Sequence, residues 1–145
     1  IESQKGTDSR LLSVSEPAGD PLFSDENRVL VVEDNPVNQK ITVHYLNKLG
    51  LKTDIADNGQ AAVKAISENE YDLVFMDCLM PEMDGYTATR KIRAMGKTMP
   101  VIALTADAFT ENKDKCISAG MTDYISKPFK RHALRQLLTK YLKKK

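Results

Sequence analysis

Residues 29–36 read VLVVEDNP. A continuous aliphatic run closed by two adjacent acids and a turn marks a short strand buried on both faces, because an alternating pattern would leave one face in water. Two further runs of this kind follow, DLVFMD at 72–77 and PVIALTA at 100–106. Helical patterns separate them. Residues 36–49 place Val37, Ile41, Tyr45 and Leu49 four apart, which predicts one buried helical face, and Gly50 is set to cap it. LKTDIA (51–56) alternates as a strand, and DNG then opens a helix through about Glu68 with Ala62, Ala65 and Ile66 inward. Helices are predicted over 84–95 and 109–119, the second closed by Gly120. DYIS (123–126) is a last strand, and Leu134, Leu137, Leu138, Tyr141 and Leu142 form the apolar stripe of a last helix. Five strands alternating with five helices predict an α/β fold, a doubly wound parallel sheet with helices on both faces.

The chain has 145 residues, enough for one domain with a substantial core, and its 41% hydrophobic and 28% charged residues are those of a globular protein. Residues 1–27 are rich in Ser, Asp, Glu, Gly and Pro without a period, so a linker is expected there and the domain over 28–145. The net charge of +1 hides an asymmetry: 1–27 hold six acids and two bases, 28–145 fourteen acids and nineteen bases. Residues 127–145 carry eight Lys or Arg and no acid, but these lie on a helical pattern ending in KYLKKK, where cations suit the helix dipole. The expectation is a solvated helix end with no nucleic-acid partner. No apolar run approaches a membrane span, so no direct membrane contact is expected of this segment. Cys78 and Cys116 form no CxxC and have no His at ligand spacing, which fits a reducing, cytoplasmic compartment better than a disulfide or zinc framework. The chain begins with Ile1, as a piece of a longer protein would.

In doubly wound sheets, ligands bind beyond the carboxyl ends of the strands. Those ends carry Glu33 and Asp34, then Asp77, then Thr105, then Lys127 followed by Pro128. Neighbouring carboxylates repel and burial raises the cost of ionising them, so a cation is expected between them. Carboxylates without His or Cys are hard ligands suited to Mg²⁺ or Mn²⁺. A hydroxyl and a lysine alongside suit phosphoryl oxygens, and one carboxylate is left to act as nucleophile and form an acyl phosphate.

The stretches VVEDNPVNQKI, DLVFMDCLMPEMDGYTATRKIR, PVIALTA and GMTDYISKPF together resemble the receiver domain of two-component response regulators, from Arg28 to the end. Their wording is most similar to receivers attached to hybrid sensor histidine kinases. The resemblance implies a flavodoxin-like strand order 2-1-3-4-5 and a module in a His-to-Asp phosphorelay. Its partners would be the phosphohistidine domain of a histidine kinase, a histidine phosphotransfer domain, or both. By the same resemblance Asp77 is the phosphoacceptor, Asp34 a direct Mg²⁺ ligand, Glu33 a ligand through water, and the backbone carbonyl of Leu79 a further ligand. Thr105 and Lys127 would contact the phosphoryl group, the Lys127–Pro128 bond would be cis, and Tyr124 would switch with Thr105. Val37, Asn38 and Ile41 would lie where a phosphohistidine helix docks. Leu79 and Asp107 would flank the path of a hydrolytic water, and Leu79, where many relatives carry a polar residue, implies a long-lived phosphoryl-aspartate. Such a domain catalyses its own phosphorylation and slow dephosphorylation, and the resemblance implies a hybrid histidine kinase as the parent chain, of a kind that can be anchored in a membrane.

Three other readings stand beside this one. A flavin or nucleotide domain would need a Ser/Thr/Gly-rich loop where EDNP stands. An aspartyl phosphatase would need an acid in place of Leu79. A degenerate receiver acting only in docking is at odds with the intact set of Glu33, Asp34, Asp77, Thr105 and Lys127. Met80, Met83 and Met95 are expected to pack rather than bind metal. Cys78 is expected to be a buried structural thiol, His44 and His132 surface residues, and Gly85 a residue that permits a tight loop.

Overall fold

The computed structural model describes residues 27–78, 80, 83–105, 110–126 and 130–142, with only the helical backbone of 110–113. The expected linker, apart from Asn27, lies outside these residues, as do Leu79, Asp107, Lys127 and Pro128. Strands and helices alternate in the predicted order: β1 (Arg28–Val32), α1 (Pro36–Lys48), β2 (Lys52–Ala56), α2 (Gly59–Glu68), β3 (Leu73–Asp77), α3 (Gly85–Ala94), β4 (Val101–Thr105), α4 (Thr110–Ala119), β5 (Asp123–Ser126) and α5 (Arg131–Tyr141). The strands form one parallel sheet in the order β2-β1-β3-β4-β5, as the resemblance implies.

The continuous apolar runs are explained by two cores, one on each face. Leu30, Val32, Val74, Met76, Val101 and Ala103 point toward Ala62 and Ile66 of α2, Ala88 and Ile92 of α3, and Cys116 and Ala119 of α4. The alternate residues, among them Val29, Val31, Phe75, Ile102 and Leu104, meet Leu46 of α1 and Leu134 and Leu138 of α5. β3 and β4 are buried at every position. Truncating a fully buried ring such as Phe75 to alanine costs about 3–5 kcal/mol in such a setting.

α1 corrects the expected helical face. Its buried residues are Thr42 and Leu46, followed by Leu49 just past its end, whereas Val37 is 64% and Ile41 45% exposed. Residues four apart advance about 40° around a helix with each step. The stripe Val37–Ile41–Tyr45–Leu49 therefore winds from solvent at the tip of α1 to the core at its base.

At the amino-terminal edge of the sheet, side chains tie the elements together. The Arg28 guanidinium and the Tyr71 phenol both donate to Asp54 Oδ2, each at 2.7 Å. The phenol first, and then Arg28, hold the Asp54 carboxyl below its usual range against the opposing effect of burial. Burial, and then its bond to Asp54, push Tyr71 up to about 12. Arg93 donates to the carbonyl oxygens of Gly120, Lys97 and Met99 and to Thr122 Oγ1, fastening α3 to the loops before β4 and β5. Tyr141 donates to Asp123 Oδ2 at 2.7 Å, and the Asn27 carbonyl accepts from the Lys52 amide.

Candidate functional site

The strand order reverses between β1 and β3, so a crevice opens where these two neighbours end. Their last registered pair is Val32↔Met76; one residue farther along stand Glu33 and Asp77. Carboxylate oxygens of Glu33, Asp34 and Asp77 all lie within 4.8 Å of one another. Glu33 and Asp77 are buried, at 1% and 4% exposure, while Asp34 faces solvent. Asp77 pairs with Leu104, which sets buried Thr105 one residue beyond it on the adjacent strand. Tyr124 is half-buried on β5, paired with Ala103 and packed on the core beneath α2, α3 and α4. Four of the residues singled out in the sequence thus gather at one sheet edge. Lys127, Pro128, Leu79 and Asp107 are outside the described residues.

The loops that carry these acids are held by local sequence. Asn35 caps α1, its side-chain oxygen accepting from the amides of Val37 (2.9 Å) and Asn38 (3.3 Å), and Pro36 fills the first helical position, where no amide is needed. The Asn35 amide donates to the Glu33 carboxylate at 3.3 Å. Beyond β3, Asp84 caps α3 by accepting from the Thr87 amide at 2.8 Å, a bond that holds its carboxyl below the usual range. The Gly85 amide donates to the Cys78 carbonyl at 3.1 Å. A β-carbon on Gly85 would strike the Asp77 carbonyl oxygen and come within 3.0 Å of Cys78 Cα. Gly85 therefore permits the tight loop before α3, and does so by allowing close approach to the end of β3 rather than by a positive φ.

Val37 and Ile41 stand exposed at the tip of α1 beside this edge, and Asn38 is half-buried between them. Cys78 is buried, and burial pushes its thiol up to about 12; Tyr86 and Cys116, distant in sequence, are its neighbours. Both cysteines are free and buried, as structural thiols are. Met80 and Met83 pack on the core, whereas Met95 is 40% exposed. His44 and His132 are exposed, as expected.

Two residues escaped the sequence reading. Gln39 Nε2 donates to the Glu33 carbonyl at 2.6 Å and to Asp57 Oδ1 at 2.8 Å. Asp57 directly follows β2, so inspecting the end of every strand, not only the aliphatic ones, would have found it. No local pattern announces Gln39. The donor set at the crevice is three carboxylates, all hard oxygens crowded beyond what mutual repulsion favours, and it fits a small divalent cation.

Comparison with known proteins agrees with this fold. The chain is 39% identical over 136 residues to the sensor histidine kinase RcsC of Salmonella typhi, an alignment covering 92% of this chain but only 14% of that protein. The receiver domain of the Pseudomonas aeruginosa sensor histidine kinase PA1611, solved with a magnesium ion in its active site cleft, is 44% identical. It superposes with a TM-score of 0.74, covering 79% of this chain and 96% of that one. A chain from the co-crystal structure of the Saccharomyces cerevisiae histidine phosphotransfer protein Ypd1 and the receiver domain of Ssk1 gives a TM-score of 0.78 at 32% identity, covering 84% and 91%. The response regulator receiver domain family matches residues 29–139. With that match running over most of its length, this chain belongs to the response regulator receiver domain family.

Proposed function

We propose that this receiver domain takes a phosphoryl group from a phosphohistidine onto Asp77, with Mg²⁺ (or Mn²⁺) held by Glu33, Asp34 and Asp77. The observation that carries this reading is the meeting of three carboxylates within 4.8 Å, the acid of β3 being recessed among them beside Thr105. A bound divalent cation supplies charge neutralisation for the phosphoryl oxygens. Glu33 and Asp34 hold that charge at the crevice. An Asp77 carboxylate oxygen bonds to phosphorus as the phosphorus–nitrogen bond of the donor breaks, and the electron pair leaves with the imidazole. Thr105 and, by family position, Lys127 would bind phosphoryl oxygens, and by family position the Leu79 carbonyl would be a further ligand of the cation. Tyr124, on the strand next to that of Thr105, then shifts with it and biases the face formed by α4, β5 and α5.

Val37, Asn38 and Ile41 form the rim on which a histidine kinase or histidine phosphotransfer domain docks. The exposure of Val37 and Ile41 supports the place, and the Ypd1–Ssk1 co-crystal structure supports a histidine phosphotransfer protein as the kind of partner. The chain spans about a seventh of the length of the sensor kinase it resembles, and we assign it to a hybrid histidine kinase in the cytoplasm, with residues 1–27 as linker and 28–145 as the domain. Among the described residues no helix is long and apolar enough to cross a membrane. The deciding experiment is phosphorylation by a small acyl phosphate. Label should appear on the parent with Mg²⁺, and vanish with a chelator or in Asp77→Asn. Label that persists in Asp77→Asn would place the acceptor elsewhere.

A further inference from the structure

The Gln39 amide spans two elements that carry acids. Its Nε2 has two hydrogens and both are used, one on the Glu33 carbonyl at 2.6 Å and one on Asp57 Oδ1 at 2.8 Å. Both partners can only accept, so the opposite amide orientation would set oxygen against oxygen, and chemistry fixes the assignment. Gln39 sits one turn into α1, whose cap Asn35 also donates its amide to the Glu33 carboxylate. The Glu33 amide in turn donates to the Ala56 carbonyl, the residue before Asp57. Glu33 is thus gripped from three sides: β2 at its amide, Asn35 at its carboxylate and Gln39 at its carbonyl.

We propose that Gln39, anchored by Asp57, is a positioning residue for the divalent cation: it holds the Glu33–Asp34 peptide so that both carboxylates face Asp77. Neither side chain is among the three carboxylates that meet. Gln39 acts on the carbonyl that joins Glu33 to Asp34, and Asp57 keeps the amide turned toward it.

The inference rests on the reading of the three carboxylates as a cation site, and the test separates the two. Mg²⁺ is titrated into the parent, Gln39→Ala, Gln39→Glu, Asp57→Asn and the double variant Gln39→Ala/Asp57→Asn. Binding is followed by backbone amide shifts, and thermal unfolding is recorded in chelator. Outer-shell partners of metal ligands typically carry about tenfold or more of the affinity. Gln39→Ala should weaken Mg²⁺ by about that factor, Gln39→Glu by more, and the double variant by no more than Gln39→Ala, because Asp57 acts through the amide. Unfolding in chelator should be unchanged in Gln39→Ala. Parent-like Mg²⁺ affinity in Gln39→Ala overturns the inference alone, as does a loss in Asp57→Asn that adds fully to that of Gln39→Ala. No Mg²⁺-dependent shifts in the parent overturn both the inference and the cation site.

Discussion

Gly85 lies so close to Asp77 that a β-carbon on the glycine would collide with the aspartate's carbonyl oxygen. α3 can begin against the end of β3 only because residue 85 has no side chain. The neighbouring Gly59 repeats the device on the other side of the loop, where a β-carbon would stand 2.8 Å from the Met83 carbonyl oxygen. Backbone cannot yield as a flexible side chain can, so Gly85→Ala should destabilise the domain by about 1–3 kcal/mol, the usual penalty of overpacking. Urea unfolding reads this directly, and a variant as stable as the parent would show that the loop can retreat.

Asp34→Ala removes the exposed member of three crowded carboxylates. Phosphorylation should be lost while the fold remains, and in chelator the variant should be at least as stable as the parent, since a repulsion has gone. Mg²⁺ at a hundred times its dissociation constant should raise parent stability by about 2.7 kcal/mol and leave the variant unmoved. Calorimetric scans with and without Mg²⁺ distinguish these outcomes, and normal phosphorylation of Asp34→Ala would remove the residue from the metal site.

The apolar rim should matter to a protein donor alone. A bulky charge at Asn38 or Val37, such as Val37→Glu, should slow transfer from a phosphorylated histidine phosphotransfer domain at least severalfold and leave phosphorylation by a small acyl phosphate at the parent rate. Equal slowing with both donors would locate the damage in the crevice.

Leu79 and Asp107 are expected to flank the approach of the hydrolytic water, and Leu79 offers it no hydrogen bond. Leu79→Asn should shorten the life of the phosphoryl-aspartate severalfold, since one well-placed polar contact is worth about 1 kcal/mol. The measurement is loss of label at matched Mg²⁺ and pH, and an unchanged lifetime would refute this role for Leu79.

The Arg28–Asp54–Tyr71 cluster predicts a pH window. Asp54 is depressed in the folded state, so its contribution is present above the ordinary carboxylate pKa and is lost as pH falls through the lowered value. Tyr71 is raised, so its contribution is full below about 10, the ordinary phenol value, and is lost as pH climbs toward about 12. Tyr71→Phe should therefore move the acid unfolding midpoint to higher pH and abolish the alkaline loss, both visible by circular dichroism across a pH series.

The order of elements was legible because strands buried on both faces cannot hide their aliphatic runs, and because Gly50 and Gly120, both with positive φ, punctuate the helix ends. The crevice acids were legible because they stand at strand ends. The buried face of α1 was not: a four-residue spacing looks like a stripe in one dimension but spirals in three, and the buried Thr42 carries no apolar signal. Gln39, Arg93 and the meeting of Cys78 with Cys116 were hidden for a related reason. Each depends on a partner brought close by the sheet and not by the chain, Arg93 reaching Gly120 across 27 positions. The role of Gly85 was half visible, since a glycine before a helix suggests a turn, while the oxygen it must clear belongs to another element.

The clamps at the amino-terminal edge have a consequence for architecture. Asn27 leaves the fold where β2 begins, and Tyr141 is tied to Asp123 where β5 begins, so the two ends of the described domain emerge on the same rim, remote from the acids. The points of attachment at Asn27 and Leu142 thus have the depth of the sheet between them and Asp77. Such a unit can be spliced into chains of different length and order without its reactive end being fenced in, as a plug can be wired from the back whatever socket it meets.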